Sequence, residues 1–122
     1  MASIPNPAAE KASIEAFRRD VIEASKTALV LVDFWAEWCG PCKTLGPALE
    51  RLVAARAPKV ALVKIDVDKN QALAAQFRIQ SIPTVYAVFQ GQLVADLTQY
   101  RTEAQITRAL DQMLQQLPIT GA

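Results

Sequence analysis

Apolar and polar residues follow helical and strand periods along the chain, and these periods predict four helices and four strands. The predicted helices cover residues 13–26, 41–56, 70–77 and 102–117, and the predicted strands cover residues 29–34, 60–65, 84–89 and 93–97. In the first helix, Ile14, Phe17 and Val21 recur at helical spacing, whereas the first two strands are largely aliphatic runs, as is typical of strands buried on both faces. Gly91 supplies the positive φ that a hairpin between the last two strands needs. Thr102 and Gln105 have the spacing of a capping box at the start of the last helix.

The order of these elements, αβαβαββα, restricts how the strands pair. Two strands linked through a helix are expected to be parallel with a right-handed crossover, and the last two strands form an antiparallel hairpin. The sequence therefore predicts an α/β fold with a central mixed β-sheet flanked by helices on both faces. We expect one domain over residues 13–118, a flexible lead-in over residues 1–12 and a short tail over residues 119–122.

Composition narrows the range of partners. A chain of 122 residues is long enough for one buried core. With 13 Lys+Arg against 12 Asp+Glu, the net charge of +1 leaves no excess of basic side chains to neutralise phosphates, so we expect neither a nucleic-acid nor a membrane partner. No apolar run approaches the roughly 18 residues of a membrane span, and the first residues lack the pattern of a secretory signal. We therefore expect a cytoplasmic protein.

The chain contains no histidine, and this excludes several classes of chemistry. Ser-His-Asp and Cys-His catalysis, HExxH metal sites and histidine-ligated haem cannot be built from this chain alone. Zinc needs four Cys or His ligands, whereas the chain offers two cysteines, so only a bridged dimer could complete such a shell. We expect no metal, and the reactive groups that remain are Cys39 and Cys42.

The two cysteines form a Cys-Gly-Pro-Cys motif between the first strand and the next helix. Chance would place two cysteines three residues apart in only about 2% of chains of this length. A cysteine at the N-terminus of a helix faces unpaired N–H groups and the positive end of the helix dipole, which lower the pKa of a thiol below its usual value of about 8.5. We therefore expect an exposed Cys39 to be the nucleophile. Cys42, one turn into the helix, is expected to resolve the mixed disulfide that Cys39 forms.

Three motifs together resemble the thioredoxin family. They are VDFWAEWCGPCK at residues 32–43, DVD at residues 66–68 and IPT at residues 82–84, and the resemblance extends over about residues 28–117. It implies the thioredoxin fold, reduction of protein disulfides without a cofactor other than the Cys39–Cys42 disulfide, and re-reduction by a flavoprotein thioredoxin reductase. Between the cysteines, Gly40 and Pro41 resemble the reducing members rather than oxidases or isomerases.

The first two predicted strands each contain one charged residue, Asp33 and Lys64. Asp33 is either exposed at a sheet edge or buried behind the dithiol, where its raised pKa would let it take the Cys42 proton. The resemblance favours the buried position, because thioredoxins have an aspartate there. Lys64 is either a surface lysine whose stem lies along apolar residues or, as the resemblance implies, the family lysine near that aspartate.

The resemblance also implies a substrate-binding surface. It suggests a cis Ile82–Pro83 bond facing the dithiol, with the Ile82 backbone available to an extended substrate segment; the alternative is a trans proline that starts the strand. Trp38 is predicted at the exposed rim beside Gly40 and Pro41. Asp66 and Asp68 are expected in a solvated turn rather than at a metal.

One position departs from the family. Thioredoxins generally have a glycine beside the substrate groove, where this chain has Gln99, whose longer side chain would narrow the groove. Residues 79–87 also resemble the thioredoxin module of bacterial co-chaperones that carry tetratricopeptide repeats. An alternative function is therefore a client-binding co-chaperone domain with weak or no reductase activity.

Overall fold

A four-stranded mixed sheet forms the centre of the molecule. The computed structural model describes residues 6–100 and 102–122. The elements are α1 (Pro7–Phe17), a π-helical stretch (Arg18–Glu23) with a 3-10 turn (Ala24–Lys26), β1 (Leu29–Trp35), α2 (Gly40–Ala54), β2 (Val60–Asp66), α3 (Gln71–Gln76), β3 (Thr84–Phe89), β4 (Gln92–Asp96) and α4 (Glu103–Gln116). The strand order is β2-β1-β3-β4, so β1 is an interior strand.

Strand pairing confirms the mixed sheet and corrects one detail. β1 and β2 are parallel, as the helix between them requires, and β3 and β4 form the predicted antiparallel hairpin. β3, however, runs antiparallel to β1, although α3 lies between β2 and β3. Asp66 at the end of β2 pairs with Trp35, and Thr84 at the start of β3 pairs with Phe34. Because this connection begins and ends at the same end of the sheet, β3 enters in the opposite direction.

The alternation of side chains along β1 divides the apolar core between the two faces of the sheet. Leu29 and Leu31 point to the face covered by α2 and α4. Val30 and Phe34 point to the other face, where the N-terminal helical segment and α3 cover them. Asp33 continues the series of Leu29 and Leu31, so the strand period places its carboxyl group beneath α2.

The N-terminal helix begins earlier than the sequence predicted. Asn6 caps it by accepting hydrogen bonds from the backbone N–H groups of Ala8 and Ala9, and Pro7 occupies the first helical position. Proline is favoured there because its missing N–H is not needed and its φ is already helical. The predicted start of the first helix at residue 13 is therefore wrong, and residues 1–5 lie outside the described residues.

The C-terminal residues are packed against the rest of the domain. Ile119 is buried in the core under α2 and α4, and the N–H groups of Thr120 and Gly121 donate to the carbonyl of Thr27. Gly121 has a positive φ, and a Cβ atom there would lie 3.0–3.1 Å from backbone atoms of Pro58 and Lys59. Glycine is required by both the conformation and the close approach.

Other local predictions are confirmed. Thr102 and Gln105 form a capping box at the start of α4, and Gly91 has a positive φ in the hairpin. A second cis proline, at Ala57–Pro58, was not predicted. In the part of the chain that the structure describes, no helix is long and apolar enough to cross a membrane.

Candidate active site

Cys39 and Cys42 form a disulfide at the N-terminus of α2. Cys39 is the N-cap residue, and its Sγ accepts a hydrogen bond from the backbone N–H of Cys42 at 3.3 Å. Pro41 lies in the first turn, where a proline costs no hydrogen bond. The Cys39 sulfur therefore lies where helix N–H groups and the positive end of the dipole favour a negative charge.

Exposure does not separate the two cysteines as the sequence predicted. Both residues are 4% exposed in this oxidised form, so the expectation of an exposed Cys39 is wrong here. Trp38, Gly40 and Pro41 are exposed around them. What distinguishes Cys39 is its capping position, because its sulfur accepts the N–H bond at the helix start.

Asp33 is fully buried, and the exposed-edge alternative is wrong because β1 has a strand on each side. In the described part of the molecule, neither of its carboxyl oxygens has a hydrogen-bond partner. Burial raises the pKa of Asp33 to about 6, with Lys64 lowering it and Glu50 raising it as smaller effects. An acid with this pKa gains or loses a proton near neutral pH, as a proton acceptor in catalysis must.

Lys64 is next to Asp33 in the sheet, but its ammonium group is engaged elsewhere. The parallel register pairs the two residues across β1 and β2. Lys64 Nζ lies 3.4 Å from Glu50 Oε1 on α2 and 5.1 Å from the centre of the Trp35 ring. The side chain is 36% exposed. Lys64 is therefore partly exposed, as a surface lysine would be. It also lies next to Asp33, as the resemblance to thioredoxins implies.

The Ile82–Pro83 peptide bond is cis, which confirms that prediction. Pro83 and Pro41 both line a cavity of about 440 Å³ between α2, β3 and the start of α4. The wall of this cavity also includes Thr98 and Tyr100. Gln99 is exposed and lies outside the set of lining residues, so its effect on a substrate groove stays a prediction.

Trp38 has a partner that the sequence analysis missed. Its indole is 70% exposed at the rim, as predicted, and its Nε1–H donates to Asp68 Oδ2 at 2.9 Å. Asp66 holds the turn that carries Asp68, because its carboxylate accepts the N–H groups of Asp68 and Lys69. The signal was available: parallel strands end at the same edge of a sheet, so the residues after β1 and β2 meet there.

The described residues contain no group of three or more His, Cys, Asp or Glu side chains placed to hold a metal ion. The chemistry that this site supports is thus carried by the Cys39–Cys42 pair and the buried carboxyl group of Asp33.

Comparison with known proteins agrees with this geometry. The sequence model of the Thioredoxin family matches residues 8–112. The chain is 45% identical to a thioredoxin of Haemophilus influenzae over 83 residues, which cover 68% of this chain and 78% of that protein. It is 40% identical to a thioredoxin of Acidithiobacillus ferridurans over 102 residues, covering 84% and 93% of the two chains. A thioredoxin of Mycobacterium bovis is 38% identical over 107 residues, covering 88% and 90%.

The family model thus matches most of the length of a chain with a disulfide at a helix start and a buried acid on the sheet beneath that helix. The chain also has a cis proline, Pro83, which lines one cavity together with Pro41 between the two cysteines. The chain belongs to the thioredoxin family.

Proposed function

We propose that this thiol–disulfide oxidoreductase reduces protein disulfides, with Cys39 as the attacking and Cys42 as the resolving residue. The observation that carries the proposal is the Cys39–Cys42 pair at the start of α2, with Cys39 Sγ accepting a helix N–H group. Such a position stabilises the thiolate that attacks a disulfide. The thioredoxin names of the relatives support the same activity.

The reaction transfers two electrons in two exchange steps. The Cys39 thiolate attacks one sulfur of the substrate disulfide, a mixed disulfide forms, and the other substrate sulfur leaves as a thiolate. The Cys42 thiol then loses its proton to the Asp33 carboxylate and attacks Cys39 Sγ. The second substrate sulfur leaves, so that the substrate ends as a dithiol and the protein as the Cys39–Cys42 disulfide.

The exposed rim provides the proposed contact surface for the substrate. Trp38, Gly40 and Pro41 are exposed around the disulfide, and the cis bond before Pro83 borders the same cavity as Pro41. We propose that the Ile82 backbone pairs with an extended substrate segment and that Gln99 limits which segments fit. A flavoprotein thioredoxin reductase in the cytoplasm is the proposed source of electrons.

Disulfide reduction by this protein is tested with insulin as the substrate and dithiothreitol as the electron donor. We expect catalytic amounts of the protein to accelerate insulin reduction well beyond dithiothreitol alone, because the Cys39 thiolate is the better nucleophile at neutral pH. A protein in which both cysteines are serine is the control. The client-binding alternative is less favoured, since the relatives are named thioredoxins; a rate equal to the control would restore it.

The Trp38–Asp68 hydrogen bond gives a second test of the contact surface. We expect Asp68→Ala to lower kcat/KM for insulin about two- to tenfold, which corresponds to a hydrogen bond of about 0.5–1.5 kcal/mol that orients the indole. In a Trp38→Phe background the same change should have almost no further effect, because the donor is already gone. Glu37→Ala is the control for losing an acid beside Trp38. Equal losses in both backgrounds would show that Asp68 acts independently of Trp38.

A further inference from the structure

We propose that Glu50 is a positioning residue that holds the Lys64 ammonium group in a niche on α2 and thereby leaves the Asp33 carboxyl group without a salt-bridge partner. The inference rests on the proposed role of Asp33 as the acceptor of the Cys42 proton. Glu50 is not part of any of the three sequence motifs. The proposal gives it an effect on the Asp33 carboxyl group, which it does not contact.

The niche is formed by three residues around Lys64 Nζ. Glu50 Oε1 lies 3.4 Å away, the centre of the Trp35 ring lies 5.1 Å away, and a Cβ atom on Gly46 would lie 3.3 Å away. The absence of a side chain on Gly46 thus lets the ammonium group approach the surface of α2. An acid on one side and an aromatic face on another both attract a cation.

The same geometry leaves Asp33 without a cation in contact. Lys64 is its neighbour in the sheet register, yet among the described residues neither Asp33 oxygen has a hydrogen-bond partner. A lysine in direct contact with a buried carboxylate lowers the pKa of that carboxyl group strongly. Because Glu50 competes for the Lys64 ammonium group, it opposes this effect.

The charged groups that face Asp33 come from two of the elements packed against it. β2 supplies Lys64 and α2 supplies Glu50, whereas β3 presents Val85 at the paired position. The cysteines do not titrate while they are joined as a disulfide. In the oxidised protein, the titration of Asp33 therefore reports on Lys64 and Glu50 without interference from a thiol.

The consequence for catalysis follows from the proton that Asp33 must accept. A carboxylate paired tightly with Lys64 would stay ionised at neutral pH but would be a weaker base. With the ammonium group held by Glu50, the pKa of Asp33 is about 6 and thus stays close to neutral pH. Glu50 thus keeps Asp33 suited to receiving the Cys42 proton and releasing it after the disulfide has closed.

The experiment measures the pKa of Asp33 in the oxidised protein from the chemical shift of its carboxyl carbon as a function of pH. We expect Glu50→Gln to lower this pKa by about one unit, because Lys64 is released toward Asp33, and Glu50→Asp to restore part of the change. Glu103→Gln is the matched control: Glu103 is also a half-exposed acid paired with a basic residue, Arg51, but it lies at the start of α4. It should leave the pKa of Asp33 unchanged.

A second background distinguishes two ways in which Glu50 could act on Asp33: by holding Lys64 away from it, or by direct repulsion between the two carboxylates. Lys64→Met removes the ammonium group, so Glu50→Gln in this background should shift the pKa of Asp33 by less than half as much as in the unmodified chain. An equal shift in both backgrounds, or no shift in either, would overturn the proposal. The outcome is independent of turnover: inactivity toward insulin with a normal pKa response would refute the proposed function alone, and normal activity without the response would refute the positioning role alone.

Discussion

Asp33→Asn is expected to raise the free energy of unfolding at pH 8 by about 3 kcal/mol. The pKa of Asp33 is about 6 in the folded protein against 3.8 for the ordinary carboxyl group, and each unit of difference corresponds to about 1.36 kcal/mol. The folded state therefore binds the proton more tightly than the unfolded state. As pH rises from about 4 to about 6, the unfolded chain ionises first, and stability falls until the folded carboxyl group ionises as well.

Asparagine has no such dependence, because it stays neutral at every pH. The gain in stability should be largest above pH 6 and should disappear below pH 4, where Asp33 is neutral in both states. Urea unfolding of the oxidised protein at pH 4 and at pH 8 measures it. A gain of equal size at both pH values would show that the change acts through packing and not through ionisation.

Asp66→Asn is the matched control for this prediction. Asp66 is also buried, but its carboxylate accepts the N–H groups of Asp68 and Lys69. Replacing a carboxylate that is already paired removes charge-assisted hydrogen bonds. We therefore expect no gain in stability from Asp66→Asn at pH 8, in contrast to Asp33→Asn, whose carboxyl oxygens lack such partners in the described residues.

Cys39→Ser is expected to reduce insulin turnover to the rate of dithiothreitol alone, and Cys42→Ser is expected to trap the substrate. Without Cys39 there is no thiolate at the helix start, so the first exchange step does not occur. Without Cys42 the first step still occurs, but no second thiol closes the Cys39–Cys42 ring, and the mixed disulfide accumulates. The two single variants therefore fail at different steps.

Mass spectrometry under non-reducing conditions distinguishes the two outcomes. We expect a covalent adduct of one substrate chain on the Cys42→Ser protein, attached through Cys39 and released by excess dithiothreitol. The double serine variant should show no adduct. Because both cysteines are equally buried in the oxidised form, the reverse pattern, with the adduct on Cys42, would show that position at the helix start does not select the nucleophile.

The local sequence was sufficient to predict those structural features whose physical cause lies within a few neighbouring residues. The aliphatic run of β1, the glycine of the hairpin at Gly91 and the capping box of Thr102 and Gln105 were all predicted, because strand period, positive φ and capping are local properties. The redox pair belongs to the same class, since two cysteines three residues apart at a helix start are close by geometry. One local error, the start of α1, arose because the cap at Asn6 and the favourable first-turn position of Pro7 were not recognised.

The amino-acid sequence by itself determined the mixed α/β sheet, the family and the cysteine pair. Only the tertiary structure decided which partners the charged and polar side chains take. Lys64 binds Glu50 rather than Asp33, and Trp38 binds Asp68, in each case across an interval of the chain that no local period constrains. Among the described residues, Asp33 is therefore left buried and without a hydrogen-bond partner. Which charged side chains pair depends on the distances between α2 and the neighbouring parallel strands β1 and β2. Those distances exist only in the folded protein, so the sequence alone does not give the outcome of this electrostatic competition.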